Sequence, residues 1–164
     1  MIRPAKEGDA PAVAALLNAV VLETTISFRH EAWSAEEVAA RMAHLRGAGR
    51  EYFVALALAG GAVVGHASYD QFRGGSGYRT AMEHSVALSP AARGRGLGRA
   101  LVEAVASHAA ERGARTLWAG VSGENPEGEG FHRACGFERI ARLPGPGFKF
   151  GRSLDLVLMR RALA

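Results

Sequence analysis

A mostly apolar segment that runs into a glycine- and arginine-rich turn is the part of this chain best suited to chemistry. Residues 82–88 are largely apolar, and residues 93–98 read Arg-Gly-Arg-Gly-Leu-Gly at the start of a predicted helix. Glycines let the backbone approach a ligand closely, and a helix start presents unpaired N–H groups and a positive dipole end to an anion. Because Arg93, Arg95 and Arg99 add positive charge, we expect this turn to hold a pyrophosphate.

Two widespread phosphate-binding patterns do not fit this turn. A P-loop needs Lys-Ser or Lys-Thr after its last glycine, whereas this chain has Arg99-Ala100. A dinucleotide-binding pattern needs a third glycine where Arg99 stands, and it belongs to a first strand–helix unit rather than to the second half of a chain. The alternative to a phosphate site is a glycine-rich turn that binds no ligand and whose arginines are simply solvated.

Length and composition narrow the class of protein further. The 164 residues, 48% hydrophobic and 22% charged, predict a single domain over residues 1–164, and no apolar run is long enough to cross a membrane. Residues 1–6 lack the apolar core of a secretion signal, so we expect a cytoplasmic protein. The net charge of +4 suits an anionic ligand, but no nucleic-acid-binding module is recognisable. The six histidines are scattered without metal-ligand spacing, so no metal is expected.

Hydrophobic periodicity and turn residues predict strands and helices around this turn. Gly8-Asp9 and the capping box from Ser34 to Glu37 start two helices after a short first strand. Predicted strands cover residues 2–5, 52–58, 62–69, 80–88, 116–121, 137–141 and 154–159, and predicted helices cover residues 9–21, 34–45, 97–113 and 126–134. Residues 143–151, which are rich in proline and glycine, are predicted to be irregular.

This order of elements resembles the GNAT superfamily of N-acetyltransferases over nearly the whole chain, and residues 93–98 resemble its acetyl-coenzyme A loop. Within it, the chain is similar to the branch of phosphinothricin and methionine sulfoximine or methionine sulfone acetyltransferases. The motifs that carry this resemblance are Glu23-Thr24-Thr25 with Phe28, Gly77-Tyr78-Arg79 before Glu83-His84-Ser85-Val86, and Lys149-Phe150-Gly151-Arg152 with Leu154-Asp155-Leu156. The resemblance implies an α/β (α+β) fold: a single mixed, mostly antiparallel central sheet flanked by about four helices. It also implies a homodimer.

The resemblance further implies acetyl transfer from acetyl-coenzyme A to the α-amino group of a small amino acid or analogue, a detoxification reaction, by direct attack in a ternary complex. A protonated amine must lose a proton before it attacks, and the resemblance gives Glu83 the role of general base. It gives His132 the position of the group that protonates the sulfur. Alternatively, both residues have purely structural roles: Glu83 forms an ion pair with Arg73 or Arg79, and His132 packs on a short helix.

Binding residues are implied in the same way. Backbone groups of residues 86–88 are expected to bind pantetheine as an additional strand would. The implied acetyl-coenzyme A-binding residues are Val86, Ala87, Leu88, Arg93, Gly94, Arg95, Gly96, Leu97, Gly98, Arg99 and Asn125. The implied acceptor-binding residues are Phe28, Arg73, Ser76, Gly77, Tyr78, Arg79, Glu83, Lys149 and Arg152. Two positions depart from the branch: Gly128 replaces a serine or alanine and is expected to loosen its helix, and Ala87 replaces a tyrosine.

Other functions share parts of this pattern. A protein N-terminus or a polyamine as the acceptor would keep the same chemistry, although a protein acceptor needs an open groove. A coenzyme A-binding sensor without catalysis would have no need of both Glu83 and His132. Among small acceptors, Gly75 stands where phosphinothricin enzymes carry a second basic residue, which favours methionine-type analogues.

Overall fold

The computed structural model describes residues 1–58 and 60–163, which form a seven-stranded sheet and four α-helices. The strands are β1 (Ile2–Pro4), β2 (Tyr52–Leu56), β3 (Val63–Gln71), β4 (Ala81–Leu88), β5 (Thr116–Ser122), β6 (Glu138–Lys149) and β7 (Arg152–Ala162). The helices are α1 (Ala10–Glu23), α2 (Ala35–Gly47), α3 (Leu97–Glu111) and α4 (Pro126–Ala134). Within these residues, no helix has both the length and the apolar character that a bilayer crossing requires.

The strands lie in the order β1-β2-β3-β4-β5-β7-β6. β4 and β5 run parallel, and the other neighbouring pairs run antiparallel. The connection through α3 makes the parallel pair possible, because parallel strands need a long crossover. This mixed, mostly antiparallel sheet with four helices confirms the fold that the resemblance implied.

The parallel pair separates after three residues and leaves a wedge in the sheet. β4 pairs with β5 only from Ala81 opposite Thr116 to Glu83 opposite Trp118. Beyond that point β4 still pairs with β3 as far as Leu88, and β5 still pairs with β7. The edge of β4 that faces the wedge is therefore free of strand partners over residues 84–88.

The two faces of the sheet carry separate cores, and β4 contributes to both. Leu101 of α3 belongs to the core on one face, and Val13 of α1 belongs to the core on the other. Because successive strand residues alternate between faces, Glu83 and Ser85 lie on the face that α1 and α2 cover. His84 lies on the opposite face, toward α3 and α4. The wedge brings groups from both faces to one opening.

The sequence-based prediction for residues 143–151 is wrong. Most of this segment belongs to β6, an edge strand that forms a hairpin with β7. Leu143 pairs with Leu156 and Gly147 with Leu154, so the three residues between them form a bulge opposite Asp155. An edge strand with a bulge tolerates prolines, which have no N–H group to donate to a neighbour. A Cβ on Gly147 would lie 2.6 Å from Cδ2 of Phe28, so the glycine after the bulge makes room for that ring.

Candidate active site

A cavity of about 570 Å³ occupies the wedge between β4 and β5. Its wall contains Glu83 and residues 84–87 of β4, and residues 119–122 of β5. Asn125 and His132 approach from α4, and residues 26–29 approach from the segment after α1. The structure therefore brings both predicted catalytic residues to one opening.

Glu83 is a half-buried carboxylate at the point where the two strands part. Burial raises the pKa of its carboxyl group, and the positive charge of Arg73 opposes that shift. A Cβ on Gly120 would lie 3.0 Å from Glu83 Oε1, so the glycine on β5 leaves room for the carboxylate in the wedge. A carboxylate with a raised pKa is a better proton acceptor than an exposed one.

His132 is buried on α4 with one ring nitrogen already engaged. Its Nδ1 lies 2.7 Å from the carbonyl oxygen of Gly128. Because a carbonyl oxygen only accepts, the neutral ring carries its proton on Nδ1 and a lone pair on Nε2. Burial lowers the pKa of His132 and favours this neutral form, although the bond to Gly128 opposes the shift. The ring can accept a proton at Nε2 and can donate it only after doing so.

A second histidine, His84, packs against His132. Their ring centroids are 5.1 Å apart, and both rings contact Phe137. His84 is buried, and neither of its ring nitrogens has a hydrogen-bond partner among the described residues. Desolvation lowers the pKa of His84 to about 3, so this ring is neutral beside His132.

Asn125 caps α4 and lines the cavity at the same time. Its Oδ1 accepts a hydrogen bond from the N–H of Gly128 at 3.0 Å. A Cβ on Gly128 would lie 2.3 Å from Asn125 Nδ2, so the asparagine side chain occupies the space that a larger residue would need. Gly128 was expected to loosen the helix, but here it allows the cap and also provides the carbonyl that holds His132.

The turn after β4 presents a row of free backbone donors. Gly94 and Gly96 have φ values of 73° and 77°, which side-chain-bearing residues rarely adopt. Within the described residues, none of the N–H groups of residues 94–99 donates to a protein acceptor. The side chains of Arg93 and Arg95 are exposed in the same turn. Free N–H groups and positive charge are what a pyrophosphate site requires.

Two residues join this turn to α4. A Cβ on Gly98 would lie 3.0 Å from Cε2 of Phe131, so the glycine lets α3 and α4 pack closely. Arg99 donates a hydrogen bond to the carbonyl oxygen of Ala134 at 2.7 Å. Arg99 thus has a structural role at the end of α4 besides any contact with an anion. The turn and the helix that carries His132 are packed as one unit.

Most of the expected acceptor-binding residues do not reach the cavity. Phe28 and Glu83 line it. Those outside its wall are Arg73, Ser76, Gly77, Tyr78, Arg79, Lys149 and Arg152. Arg73 lies over the Phe72 ring, 5.5 Å from its centroid, and residues 76–78 form an exposed turn. Residues 76–79 precede β4, so they lie at the end of that strand farthest from the pyrophosphate turn, which follows it.

Lys149 supports the cavity wall from behind. Its ammonium group donates to the carbonyl oxygens of Val21, Thr24 and Ser27, the last two at 2.7 Å. The residue is only 2% exposed, so the ammonium is not available to a ligand in the cavity. A cation at the end of α1 stabilises carbonyl groups that the helix leaves unpaired. Lys149 therefore fixes the segment that carries Phe28.

Arg152 is also committed to the protein. Its guanidinium forms a two-pronged ion pair with Glu124, whose carboxylate also accepts a hydrogen bond from Thr25 Oγ1 at 2.8 Å. This contact ties the start of β7 to the loop after β5 and to the segment after α1. The Lys-Phe-Gly-Arg motif thus positions the cavity rather than lining it.

Several residues that line the cavity were not expected from the sequence. The guanidinium of Arg29 lies 3.9 Å from the centroid of the Trp33 ring, and both residues face the opening. Arg41 of α2 lines the opening as well and pairs with Asp70 at 2.7 Å. Arg29 directly follows Phe28, an expected acceptor-binding residue, so its position in the sequence could have indicated that it lies near the site. Arg41 follows the ordinary pattern of a helix surface, which carries no such signal.

A half-buried carboxylate, a free strand edge and a turn of free N–H groups are what an enzyme needs to bind an acyl-coenzyme A and deprotonate an amine. Residues 17–137 match the Acetyltransferase (GNAT) family, and the chain therefore belongs to that family.

Similar proteins agree with this assignment. The L-methionine sulfoximine/L-methionine sulfone acetyltransferase of Pseudomonas paraeruginosa is 35% identical, over 97% of this chain and 92% of the relative. A phosphinothricin acetyltransferase from Sinorhizobium meliloti, solved in complex with AcCoA, is 35% identical with a TM-score of 0.94, over 100% of this chain and 88% of that one. The ribosomal-protein-alanine N-acetyltransferase from Brucella melitensis is 36% identical with a TM-score of 0.94, over 99% of both chains.

Proposed function

We propose that this enzyme transfers an acetyl group from acetyl-coenzyme A to the α-amino group of a small amino acid or analogue, with Glu83 as the general base. The observation that carries the proposal is the half-buried Glu83 carboxylate at the point where β4 and β5 part. The Pseudomonas relative, named for methionine sulfoximine and methionine sulfone, supports an acceptor of this kind. The Sinorhizobium structure with AcCoA supports the donor.

The residues present fit acetyl-coenzyme A. The free N–H groups of residues 94–99 would hold its pyrophosphate, and the open edge of residues 84–88 would pair with its pantetheine arm. Asn125 lies on the wall of the same cavity. When bound, the cosubstrate supplies an acetyl group activated as a thioester. Ala87 needs only backbone groups for this role, so the loss of a tyrosine there has no consequence for it.

Glu83 would take a proton from the ammonium group of the acceptor. An ammonium has no lone pair for attack, so a base must remove one proton. Burial makes Glu83 a stronger base than an exposed glutamate, because the charged form is poorly solvated there. The neighbouring Asp70 is paired with Arg41 and Arg50, so it does not compete for the same proton.

His132 would return a proton to the sulfur leaving group. Its Nε2 carries the lone pair, because Nδ1 is engaged by the Gly128 carbonyl. The ring must therefore first take up a proton at Nε2, and the acceptor nitrogen, which becomes positively charged when it attacks the thioester, would supply that proton. His84 provides a neutral neighbour, which does not repel the imidazolium so formed.

A peptide N-terminus is the second candidate acceptor. The similarity to the ribosomal-protein-alanine N-acetyltransferase from Brucella melitensis favours it. Release of coenzyme A should be measured with methionine sulfone, methionine sulfoximine, phosphinothricin, methionine, a polyamine and a peptide with an N-terminal alanine. We expect turnover with the amino acid analogues, whereas turnover of the peptide alone would favour the second candidate. No turnover with any of the six would refute the proposal.

Glu83→Gln tests the proposed base. The change keeps the size of the side chain but removes the proton acceptor, so we expect kcat to fall by about a hundredfold or more. In the unmodified enzyme kcat/KM should fall as the pH drops through the raised pKa of Glu83, because protonation removes the base. The glutamine variant should lose this acid limb, and its affinity for acetyl-coenzyme A, measured by calorimetry, should be unchanged.

Glu111→Gln, at the exposed end of α3, is the matched control and should leave kcat unchanged. Unmodified turnover in Glu83→Gln at every pH would remove Glu83 from the mechanism.

We also propose that the enzyme is a homodimer. The β6–β7 hairpin exposes Phe148 and Phe150, two residues apart at its turn, at 58% and 61%. Neighbouring apolar side chains on a surface are typical of a protein interface. Light scattering should give twice the 17.3 kDa mass of one chain. A mass of one chain at micromolar concentration would refute the dimer.

A further inference from the structure

The two arginines on the wall of the cavity differ in how fully the protein uses them. Arg29 donates from Nε to the carbonyl oxygen of Glu31 at 2.7 Å, and its Nη2 pairs with Glu37 at 3.3 Å. Among the described residues, Arg41 pairs only with Asp70, through Nη2 at 2.7 Å. Because a guanidinium has five N–H donors, Arg41 keeps those of Nε and Nη1 for a ligand.

Arg41 is also tied to the position directly beside Glu83. Asp70 of β3 lies opposite Glu83 of β4, and both residues line the cavity. Side chains opposite each other on neighbouring strands have Cβ atoms roughly 5 Å apart. The strand register and the ion pair with Asp70 therefore hold Arg41 near Glu83. Arg29 lies on the segment after α1 and has no such tie to the sheet.

An α-amino acid has the size to join Glu83 and Arg41. Its amino nitrogen and its carboxylate oxygens are about 3.5 Å apart, and a hydrogen bond of roughly 3 Å at each end gives a reach of about 9 Å. Glu83 and Arg41 are separated by one strand spacing of roughly 5 Å and one ion pair of 2.7 Å. The carboxylate of an acceptor whose amino group is at Glu83 can thus contact Arg41.

The charges beside Glu83 leave a place for one anion. Asp70 is shared by Arg41 and Arg50, so these three groups carry one net positive charge. The ionised carboxylate of Glu83 balances this charge in the free enzyme. Once Glu83 has taken a proton from the acceptor it is neutral, and the positive charge lacks a counter-charge in a partly buried site. A carboxylate on the acceptor would supply that counter-charge.

We propose that Arg41 binds the α-carboxylate of the acceptor while Glu83 takes the proton of its amino group. Nη2 of Arg41 keeps its bond to Asp70, and the donors that Asp70 leaves free hold the carboxylate. A peptide N-terminus or a polyamine has no carboxylate next to its amine, so Arg41 selects free amino acids over these acceptors. This inference rests on the proposed acetylation of amino acids.

The test compares kcat/KM for methionine sulfone with kcat/KM for its α-carboxamide, which keeps the amine and the side chain but has no carboxylate. We expect the unmodified enzyme to favour the acid by about tenfold or more, because the amide loses a charged hydrogen bond. Arg41→Gln should reduce this preference by about tenfold, through a higher KM for the acid, and should change kcat/KM for the amide by less than about twofold. The different basicities of the two amines cancel when variants are compared.

Three further variants locate the effect. Arg46→Gln is the matched control, because Arg46 stands on the same helix, pairs with Glu51 at 2.9 Å and is not part of the cavity wall. It should leave the preference unchanged, and Arg29→Gln should retain it as well. Arg41→Lys keeps the positive charge but loses the planar fork, so it should retain only part of the preference. If Arg41→Gln fails to fold, Arg41→Lys carries the test.

The outcomes separate this inference from the proposed function. If the unmodified enzyme acetylates no amino acid, the proposed function fails and this inference fails with it. If it acetylates the acid and the amide equally well, the proposed function stands and only the role of Arg41 is refuted. The role of Arg41 is also refuted if the preference is unchanged in Arg41→Gln and Arg41→Lys, or if Arg29→Gln or Arg46→Gln lowers it as much as Arg41→Gln does.

Discussion

The two sides of the wedge are built in different ways. On one side, residues 84–99 form one continuous stretch, which offers mainly backbone groups: an open strand edge and the N–H groups of residues 94–99. On the other side, side chains from α1, the segment after it, α2 and β3 meet, and Arg29, Arg41 and Ser68 are examples. We call these the backbone side and the side-chain side.

Because of this difference, acceptor binding can change in evolution more easily than cosubstrate binding. Backbone groups are present whatever the side chains are, so the backbone side can bind the same cosubstrate throughout a family. The side-chain side depends on residues that are far apart in the sequence, and each can change without moving the backbone. Acceptor specificity is therefore expected to vary on the side-chain side, while use of acetyl-coenzyme A is kept.

The largest effect on stability and acceptor binding should come from Lys149, which holds the segment after α1 on the side-chain side. Lys149→Met removes an ammonium group that binds three carbonyl oxygens and leaves those oxygens buried without a donor. We expect a loss of about 3 kcal/mol in the free energy of unfolding, measured by urea denaturation. Because the segment after α1 carries Phe28, the acceptor KM should rise more than the acetyl-coenzyme A Kd.

Lys6→Met makes the same substitution at an exposed lysine, and it should change the free energy of unfolding by less than about 0.5 kcal/mol. Equal stability of the two variants would show that Lys149 does not hold this segment. An equal loss of affinity for donor and acceptor would mean that the two sides of the wedge are not independent.

A smaller effect is expected at α4, which packs against the backbone side through Gly98 and Arg99. Gly128→Ala introduces a Cβ that would lie 2.3 Å from Asn125 Nδ2, so the cap must move. The cap contributes about 1 kcal/mol, which offsets the gain of about 1 kcal/mol from placing alanine in a helix. Stability should thus change little, while the affinity for acetyl-coenzyme A falls because Asn125 leaves its position on the cavity wall.

Gly130→Ala is the control in the same helix, because nothing lies within 4 Å of the Cβ that it adds. This variant should be more stable in thermal denaturation and should bind acetyl-coenzyme A normally. If both alanine variants bind equally well, Asn125 has no part in binding.

The backbone side could be predicted from the sequence because its signals are local. Residues 82–99 contain the strand, the glycines with positive φ and the helix start in one stretch, and the structure has each of them. The short helix α4 also has the predicted bounds. Turn glycines, helix caps and apolar periodicity act over a few residues, so a single sequence is enough to find them.

The side-chain side could not be predicted in the same way. Lys149 and Arg152 stand in a motif that the resemblance places at the site, but their side chains are engaged by residues more than 25 positions away. Arg41 follows an ordinary helix-surface pattern, and only the packing of α2 beside the sheet shows that it lines the cavity. Such contacts depend on how distant segments pack, which a local pattern does not contain.

The smallest effect should come from a single charge on the backbone side. Arg95 is exposed in the pyrophosphate turn, and its pairing with a phosphate in water is weakened by solvent and salt. Arg95→Ala should therefore weaken acetyl-coenzyme A binding by about threefold to tenfold at low salt, with a smaller difference at high salt, measured by calorimetry. Arg115→Ala, an exposed arginine at the start of β5, should bind normally at both salt concentrations. A hundredfold loss in Arg95→Ala would show that a side chain, rather than the N–H groups of residues 94–99, provides most of the binding on this side. Equal affinities of the two variants would show that the Arg95 side chain has no part in binding acetyl-coenzyme A.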